Sequence, residues 1–260
     1  MKFGCFGFSH HLADIKKAGY DCAELDFCEL TDMDDASFTK FYQEASASGL
    51  GFEVFSGLLP LTERFHTPDF NLEYWLEHTA KGAKRVKELG CTIIPFGAGK
   101  CRSIPEGADV DEAKATVAKI VRAFGSLLDE YGIQLVVEPL GPPNSNYLNT
   151  LAETDVFLKE VNHPNISAMC DLRHMHKSNE PMSAIEDYIS IVKHAHIDYP
   201  RKLTRYFPAP EDDFDYAPYF EALHKANYQG ILTVEATAVK NNFLQEATIC
   251  NEYLKKLNCR

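Results

Sequence analysis

Short hydrophobic runs, rich in β-branched and aromatic residues, alternate along the chain with longer stretches in which apolar residues recur with a helical period. Runs of the first kind are typical of buried strands, and stretches of the second kind are typical of amphipathic helices. Eight runs qualify as strands. The pattern predicts them at Lys2–Gly7, Cys22–Phe27, Phe52–Gly57, Thr92–Gly97, Ile133–Pro139, Ile166–Asp171, Val192–Asp198 and Ile231–Ala236.

The stretches between these runs carry signals for helix starts and helix ends. A glycine just past a helix favours the left-handed conformation that ends it, and Gly49, Gly90 and Gly132 each follow a helical stretch. Thr150 and Glu153 have the spacing of a capping box at a helix start. The main predicted helices are Phe38–Ser48, Asn71–Leu89, Asp111–Tyr131, Thr150–Val161 and Asn241–Leu257.

The strand runs, such as QLVVEP and GILTVEA, are apolar along their length instead of alternating with polar residues. Strands that helices cover on both faces have this composition, which is typical of a parallel sheet. Eight β/α units favour a closed (β/α)8 barrel, a TIM barrel, with residues 1–260 as a single domain. The competing architecture, an open doubly wound sheet, usually has a glycine-rich phosphate-binding turn after its first strand, and FGFSH is not such a turn.

The charge of the chain narrows the range of its partners. It has 38 Asp and Glu against 26 Lys and Arg, a formal net charge of −12. Because nucleic-acid binding depends on basic surfaces, we expect no nucleic-acid partner. None of the apolar runs reaches the roughly 18 residues of a membrane helix, and the first residues lack the apolar stretch of a signal peptide. We therefore expect a cytoplasmic protein without a membrane partner.

Ionisable residues stand at the ends of four consecutive predicted strands, where a parallel barrel carries its chemistry. They are Glu138, Asp171, His196 and Glu235, and each follows apolar strand residues. Ionised carboxylates beside a core are costly unless they are paired or bind a cation. Three carboxylates and one imidazole suit a divalent cation, Mn²⁺ first and Mg²⁺, Co²⁺ or Zn²⁺ as alternatives. The sequence thus predicts a metal site at the C-terminal face of the barrel.

Each of these residues, taken alone, has a simpler explanation. A single glutamate or histidine at a strand end is more often part of an ion pair than a metal ligand. The metal prediction depends on all four residues standing at corresponding places of successive strands. His194 and His196 face the same side of their strand, and His196 is closer to the mouth. We therefore expect His196 to be the ligand and His194 to lie behind it.

Six segments from strand two to strand eight share motifs with a known group of proteins: AELDF, FGAGKCRSIPEG, VVEPL, CDLRHMH, HAHIDYP and TVEA. They resemble the xylose isomerase-like TIM-barrel superfamily, in its branch of sugar phosphate isomerases and epimerases, which includes the ketose 3-epimerases. The resemblance implies the same four metal ligands, a substrate contact from His174, and another from a basic residue after strand seven, Arg201 or Lys202. Such barrels commonly oligomerise, so a homo-oligomer is compatible with this chain.

The chain departs from two members of this superfamily. Ketose 3-epimerases have a glutamate six residues after the strand-five ligand, where this chain has Asn144. The ketose 3-epimerase reaction is therefore one alternative among several. Endonuclease IV-like members use further histidines and an Asp-x-His after strand seven to hold three metals, and the segment TRYFPAPEDDFDY has no Asp-x-His. We therefore expect no DNA-repair activity.

The strand-end residues and the resemblance together support a mechanistic hypothesis. A bound hydroxy-ketone would chelate the cation, which stabilises an enediolate when the neighbouring C–H is lost. We expect Glu138 and Glu235 to be the acid and base, and Glu24 and Arg102 to contact the sugar substrate. The predicted function is a metal-dependent isomerase or epimerase of a ketose or related sugar. The alternatives are a lyase of the same superfamily, acting on a keto-inositol or a 3-keto-glycoside, and a non-catalytic sugar-binding barrel.

Overall fold

The predicted apolar runs form eight parallel strands in the computed structural model, which describes residues 1–259. All eight predicted strands are confirmed, and most of them are shorter than predicted by one to three residues at an end. The strands are β1 (Lys2–Gly7), β2 (Cys22–Asp26), β3 (Phe55–Ser56), β4 (Ile93–Phe96), β5 (Gln134–Val137), β6 (Ile166–Asp171), β7 (Val192–Ile197) and β8 (Ile231–Val234).

The strands lie side by side in the order β3-β2-β1-β8-β7-β6-β5-β4. Every named strand pair is parallel, and a backbone bridge between Val54 and Ile93 joins the two ends of this order. The sheet is therefore a nearly closed parallel barrel, which confirms the predicted (β/α)8 fold. The predicted domain boundaries, residues 1 and 260, stay a prediction.

Helices cover the outside of this barrel between the strands. The five predicted helices are confirmed with ends that differ by up to three residues, whereas the others have only four to nine residues, too few for a helical period to show in the sequence. The helices are α1 (Leu12–Lys17), α2 (Phe27–Asp32), α3 (Asp35–Ser48), α4 (Leu72–Leu89), α5 (Gly99–Arg102), α6 (Val110–Asp129), α7 (Leu151–Val161), α8 (Leu172–Lys177), α9 (Ala184–Tyr188), α10 (Ala217–Lys225) and α11 (Phe243–Asn258).

The helix ends follow the signals in the sequence. Gly49 and Gly90 adopt left-handed backbone conformations, with φ of 70° and 101°, directly after α3 and α4. The Thr150 side chain accepts a hydrogen bond from the backbone N–H of Glu153 at the start of α7. The Glu153 carboxylate in turn accepts from the N–H of Asn149, one residue before the expected partner. These local contacts fix where each helix begins and ends against the barrel.

The barrel wall is buried from both sides. Every residue of β6 is buried, and so are all five residues of β1 after Lys2. This burial agrees with the uniformly apolar strand runs, because helices cover one face and the barrel interior covers the other. None of the helices within residues 1–259 combines the length and hydrophobicity that crossing a membrane requires.

Candidate metal centre and substrate cavity

Four ligand candidates converge at the C-terminal ends of β5 to β8. Their ligand atoms all lie within 4.8 Å of one another. The His196 Nδ1 atom is 3.2 Å from Glu235 Oε2, 3.8 Å from Glu138 Oε1 and 3.9 Å from Asp171 Oδ2. The structure thus brings together the four residues that the sequence singled out, in the mouth where a parallel barrel places its chemistry.

Two atoms of this group are buried without a hydrogen-bond partner. Within residues 1–259, neither His196 Nδ1 nor Glu138 Oε1 has one. Buried polar atoms of this kind are rare because their desolvation is not offset. A cation bound to both atoms would remove the deficit, and an imidazole nitrogen with carboxylate oxygens is a donor set that Mn²⁺, Mg²⁺, Co²⁺ and Zn²⁺ accept to different degrees. The residues present therefore fit a divalent metal.

Glu24, predicted to contact the sugar, lies behind His196. Its carboxylate is 2.9 Å from His194 Nε2 and 2.9 Å from His196 Nε2, and it also accepts a hydrogen bond from the Ser56 hydroxyl. Its side chain is only 1% exposed, so this position offers it no contact with a molecule in the mouth. When His196 donates through Nε2 to Glu24, its Nδ1 lone pair is available to a cation, as in carboxylate–histidine–metal arrangements.

The electrostatics of this centre favour a cation. Burial opposes ionisation of Glu24, but His196 and His194 hold its pKa well below the usual value. Burial likewise opposes protonation of His196, yet Glu24 and Glu235 raise its pKa well above the usual value. When no metal is bound, the raised pKa keeps His196 protonated, and a metal bound at Nδ1 would displace that proton.

Glu24→Gln is expected to weaken Mn²⁺ binding by about 10- to 100-fold, because partners of this kind orient the ligand and raise its basicity. Calorimetric titration with Mn²⁺ measures the change. Glu53→Gln is the matched control, because Glu53 does not belong to the centre. Its carboxylate pairs with Lys2 Nζ at a distance of 2.7 Å. Equal affinities in Glu24→Gln and the wild type would contradict the role of Glu24, and no binding to the wild type would contradict the metal centre itself.

Arg205 reaches the centre from the segment after β7. Its guanidinium Nη1 contacts the Glu235 carboxylate and lies 3.3 Å from Asp171 Oδ2. Its Nη2 is 2.8 Å from His174 Nε2. Burial lowers the pKa of His174 to about 3, so this ring is neutral, and the Gly141 N–H contacts its Nδ1. A neutral imidazole can accept only one hydrogen bond, so the His174 ring cannot satisfy both donors, and the shorter contact, from the charged Arg205 guanidinium, favours Nε2 as the acceptor.

The two basic residues predicted for this contact point elsewhere. Arg201 is exposed and pairs with Asp213 at 2.8 Å. Lys202 is also exposed, and its Nζ lies 5.8 Å from the centre of the Tyr206 ring. Arg205, and neither Arg201 nor Lys202, is therefore the basic residue after β7 that contacts the ligand candidates.

Arg173 holds this folded segment in place. Its buried guanidinium donates to the Asp198 carboxylate, with a shortest distance of 2.6 Å. It also donates to the carbonyl oxygens of Tyr199, Lys202 and Thr204. One side chain thus ties the end of β7 to three carbonyl groups of the following segment.

Further backbone bonds fix Arg205 itself. Its carbonyl accepts from the N–H groups of Thr237 and Ala238, at 3.0 and 3.1 Å, in the segment after β8. The N–H of Tyr199 donates to the carbonyl of Tyr206 at 3.0 Å. Arg205 is therefore anchored to two strand ends by contacts that are distant in the sequence.

Arg102, also predicted to contact the sugar, is fully buried on α5. Its guanidinium donates to the carbonyl oxygens of Phe96 and Glu138, at 3.2 and 2.6 Å. It further donates to those of Tyr147 and Leu148. These bonds support the backbone at the end of β5, where Glu138 begins the loop, and they give no support to a substrate contact.

A cavity of about 530 Å³ opens next to the four ligand candidates. Its lining includes Glu138, His196, Arg205 and Glu235, and most of the other lining residues are apolar, although Asp26 adds a further carboxylate. The volume lies in the range of about 300–1,000 Å³ that is common for small-molecule sites. The apolar and weakly polar lining includes Phe6, Leu58, Leu59, Pro60, Leu61, Phe96, Leu140, Asn144, Leu203 and Thr237.

Gly97, at the end of β4, leaves the space that the Glu138 carboxylate occupies. A Cβ atom at residue 97 would collide with Glu138 Oε2. Gly97 also lines the cavity. The absence of a side chain here therefore allows the Glu138 carboxylate to reach the other ligand candidates.

The two glutamates of the centre have different pKa values. Burial raises the pKa of Glu138 to about 7, with Glu235 and Asp171 acting in the same direction and His196 opposing them. Burial also opposes ionisation of Glu235, but Arg205 and His196 outweigh it and hold its pKa below the usual value. One carboxyl near neutrality and one ionised carboxylate are the protonation states of an acid and a base. A bound cation would lower both values.

The strand order and this centre define a class of protein: a parallel (β/α)8 barrel with a candidate metal site at its C-terminal mouth. The chain belongs to the xylose isomerase-like TIM-barrel family, whose family model matches residues 12–255. This confirms the resemblance carried by the sequence motifs. A ketose 3-epimerase from Arthrobacter globiformis is 24% identical over 254 residues, which cover 91% of this chain and 83% of the relative.

Solved structures of sugar epimerases share the fold. A 3-keto-D-glucoside 4-epimerase from E. coli superimposes with a TM-score of 0.81 and 20% identity, covering 98% of this chain and 99% of the other. A D-psicose 3-epimerase with D-tagatose from Clostridium cellulolyticum H10 gives a TM-score of 0.83 at 18% identity, with 99% of both chains covered. At these identities the superpositions show a common fold.

Proposed function

We propose that this protein is a divalent-metal-dependent isomerase or epimerase of a ketose or related sugar, acting through an enediolate. The observation that carries the proposal is the pair of buried, unpartnered atoms, His196 Nδ1 and Glu138 Oε1, beside two further carboxylates at the cavity. The family supports it, because the relatives named above are sugar epimerases.

The metal would be held by Glu138, Asp171, His196 and Glu235. Mn²⁺ is the first expectation, and Mg²⁺, Co²⁺ or Zn²⁺ are alternatives, since all accept oxygen and imidazole ligands. When bound, the cation would polarise the carbonyl of a hydroxy-ketone and favour loss of the proton on the neighbouring carbon.

The proton would be moved by the two glutamates. Glu235 would accept the proton from the substrate carbon, and Glu138 would donate one. Without a metal the two pKa values differ in this sense, with Glu138 at about 7 and Glu235 below its usual value, and a bound cation would lower both. In the reverse direction the two roles exchange. A proton returned to the opposite face of the same carbon gives epimerisation, and a proton delivered to the neighbouring carbon gives isomerisation.

His174 and Arg205 would orient the substrate. Their Nε2 and Nη2 atoms are 2.8 Å apart. The guanidinium always carries protons and suits a substrate oxygen, and the His174 ring, once this contact is exchanged for substrate, can donate to or accept from a hydroxyl. We expect the Arg205 guanidinium to exchange part of its contact with Glu235 for this oxygen when a metal is bound.

A second candidate reaction acts on a 3-keto-glycoside, by epimerisation or by lyase-type cleavage. Asn144 favours it, because Asn144 lines the cavity where ketose 3-epimerases have a glutamate. A neutral amide there can donate as well as accept hydrogen bonds, which changes the sugar hydroxyls it recognises. The shared fold with a 3-keto-D-glucoside 4-epimerase is consistent with this alternative.

Deuterium exchange tests the proposed function. The purified protein is analysed for bound metal and incubated in D₂O with ketoses, keto-inositols and 3-keto-glycosides. We expect deuterium to enter the carbon next to the carbonyl of at least one substrate, and chelator treatment to abolish the exchange until Mn²⁺ is restored. Absence of exchange with all three classes would leave a non-catalytic sugar-binding barrel as the better explanation.

Two expectations accompany this proposal and stay predictions. They are a cytoplasmic location and the absence of a nucleic-acid partner, which the net charge of −12 favours. The chain is compatible with a homo-oligomer, and its sequence does not fix the oligomeric state.

A further inference from the structure

A shallow cleft lies beside the main cavity, between the segments that follow β1 and β8. We call it the β1/β8 cleft and define it by Phe8, His11, Thr237, Val239 and Phe243. Its volume is about 170 Å³. Phe6 and Thr237 line both the cleft and the main cavity, so the two spaces are adjacent and these two residues lie between them.

The cleft presents apolar groups to solvent. Phe8 is 38% exposed and Val239 is 40% exposed. Aromatic stacking holds the other walls: the His11 ring is 4.1 Å from the Phe243 ring at an angle of 6°, and Phe8 meets Phe6 edge to face at 5.8 Å. Exposed apolar groups that surround a concave space mark binding sites more often than isolated ones do.

The side chains that line the cleft indicate the kind of molecule that it binds. Among the described residues that line it, there is no Asp, Glu, Lys or Arg. A phosphate or carboxylate group would require basic partners. An uncharged ring, with an apolar face that packs against aromatic side chains, suits the cleft better.

We propose that the β1/β8 cleft is a second subsite, which binds an uncharged ring attached to the reacting sugar. The substrate is then a keto-sugar glycoside whose attached group is cyclic, rather than a free ketose. This inference rests on the proposed function, because it places the reacting ring at the metal centre. Because Phe6 and Thr237 border both spaces, the attached ring would lie next to the reacting one.

A matched pair of substrates tests the subsite. The 3-keto forms of p-nitrophenyl glucoside and methyl glucoside share the reacting ring and differ only in the attached group. Deuterium exchange gives kcat/KM for each. We expect the wild type to prefer the aryl substrate by about tenfold, because an aromatic contact contributes on this scale. Phe8→Ala should remove this preference and leave the methyl substrate within about twofold.

Val156→Ala is the control, since Val156 is 56% exposed on α7 and does not line either space. Both substrates should keep their kcat/KM in this variant. Equal losses for both substrates in Phe8→Ala, or no loss for either, would overturn the subsite. Exchange with free ketoses but with neither glycoside would also overturn it and leave the proposed function intact.

A binding measurement separates the subsite from catalysis. p-Nitrophenyl glucoside, which has no keto group, is titrated into the protein and followed by saturation-transfer NMR. Transfer to the aryl protons that Phe8→Ala abolishes supports the subsite even if no keto-sugar is turned over. An oligomer that dissociates in Phe8→Ala during sedimentation would show that a second copy of the chain covers the cleft, and would overturn the inference.

Discussion

Glu138→Gln and Glu235→Gln are each expected to lower kcat by about 10³-fold while the barrel stays folded, since a positioned acid or base contributes about 10²- to 10⁴-fold. Glutamine keeps the shape of the side chain and retains one oxygen for the cation, but it cannot carry the proton. Steady-state kinetics with the substrate found by deuterium exchange measures the loss. Circular dichroism and bound-metal analysis show whether fold and metal are kept.

The two variants also separate the two steps of proton transfer. Glu235→Gln, which lacks the proposed base, should lose both exchange and product formation. Glu138→Gln, which lacks the proposed acid, should still exchange the substrate proton with D₂O while product formation falls. Glu180→Gln is the control, because Glu180 is a buried carboxyl whose Oε1 accepts from the Leu151 N–H outside the cavity. Full activity in Glu138→Gln or Glu235→Gln would contradict the assigned roles.

Arg173→Met is expected to lower the free energy of unfolding by about 3–5 kcal/mol, the usual cost of breaking a buried ion pair. Burial raises the pKa of Asp198, and Arg205 and Arg173 oppose this shift, so loss of Arg173 raises the pKa further. The carbonyl groups of Tyr199 and Thr204 also lose a buried donor. Urea unfolding followed by fluorescence measures the change.

The same substitution should impair catalysis through Arg205, because the segment that carries it is no longer held. We expect KM to rise more than kcat falls, since Arg205 is proposed to orient the substrate. Arg201→Met is the control: its ion pair with Asp213 is exposed, and such pairs contribute about 0–1 kcal/mol. An Arg173→Met protein with unchanged stability would contradict the structural role of the buried pair.

The cluster of ligand candidates could be predicted from the sequence because its geometry follows the repeat of the fold. Each ligand candidate ends an apolar run, and parallel strands bring all such ends to one mouth. No prediction of loop conformation was needed to identify Glu138, Asp171, His196 and Glu235. The helix ends at Gly49 and Gly90 were predictable for a similar reason, since the signal is local.

Other positions depend on contacts between distant parts of the chain. Glu24 was correctly placed on β2, but its partners His194 and His196 are on β7, and two strands separate β2 from β7 in the sheet. These side chains meet across the barrel interior, a contact that no local pattern reveals. Arg102 stands near a strand end in the sequence, yet α5 turns it inward against backbone carbonyls.

Arg205 had no signal of its own. The segment after β7 contains three basic residues near the expected position, and their spacing does not say which one turns towards the mouth. The segment that carries Arg205 is directed to the mouth by contacts with Arg173 on α8 and with the N–H groups of Thr237 and Ala238. These contacts join parts of the chain that are distant in sequence, so no local pattern reveals them.

The bare backbone at Gly97 limits how the mouth of this barrel could be redesigned. Libraries that reshape the cavity can vary Leu140 or Asn144, which line it. Even alanine at residue 97 would push the Glu138 carboxylate away from its neighbours. Because that carboxylate is the flexible end of a side chain, such a mutant is expected to fold normally and to pass a stability screen, while the four ligand candidates would no longer converge.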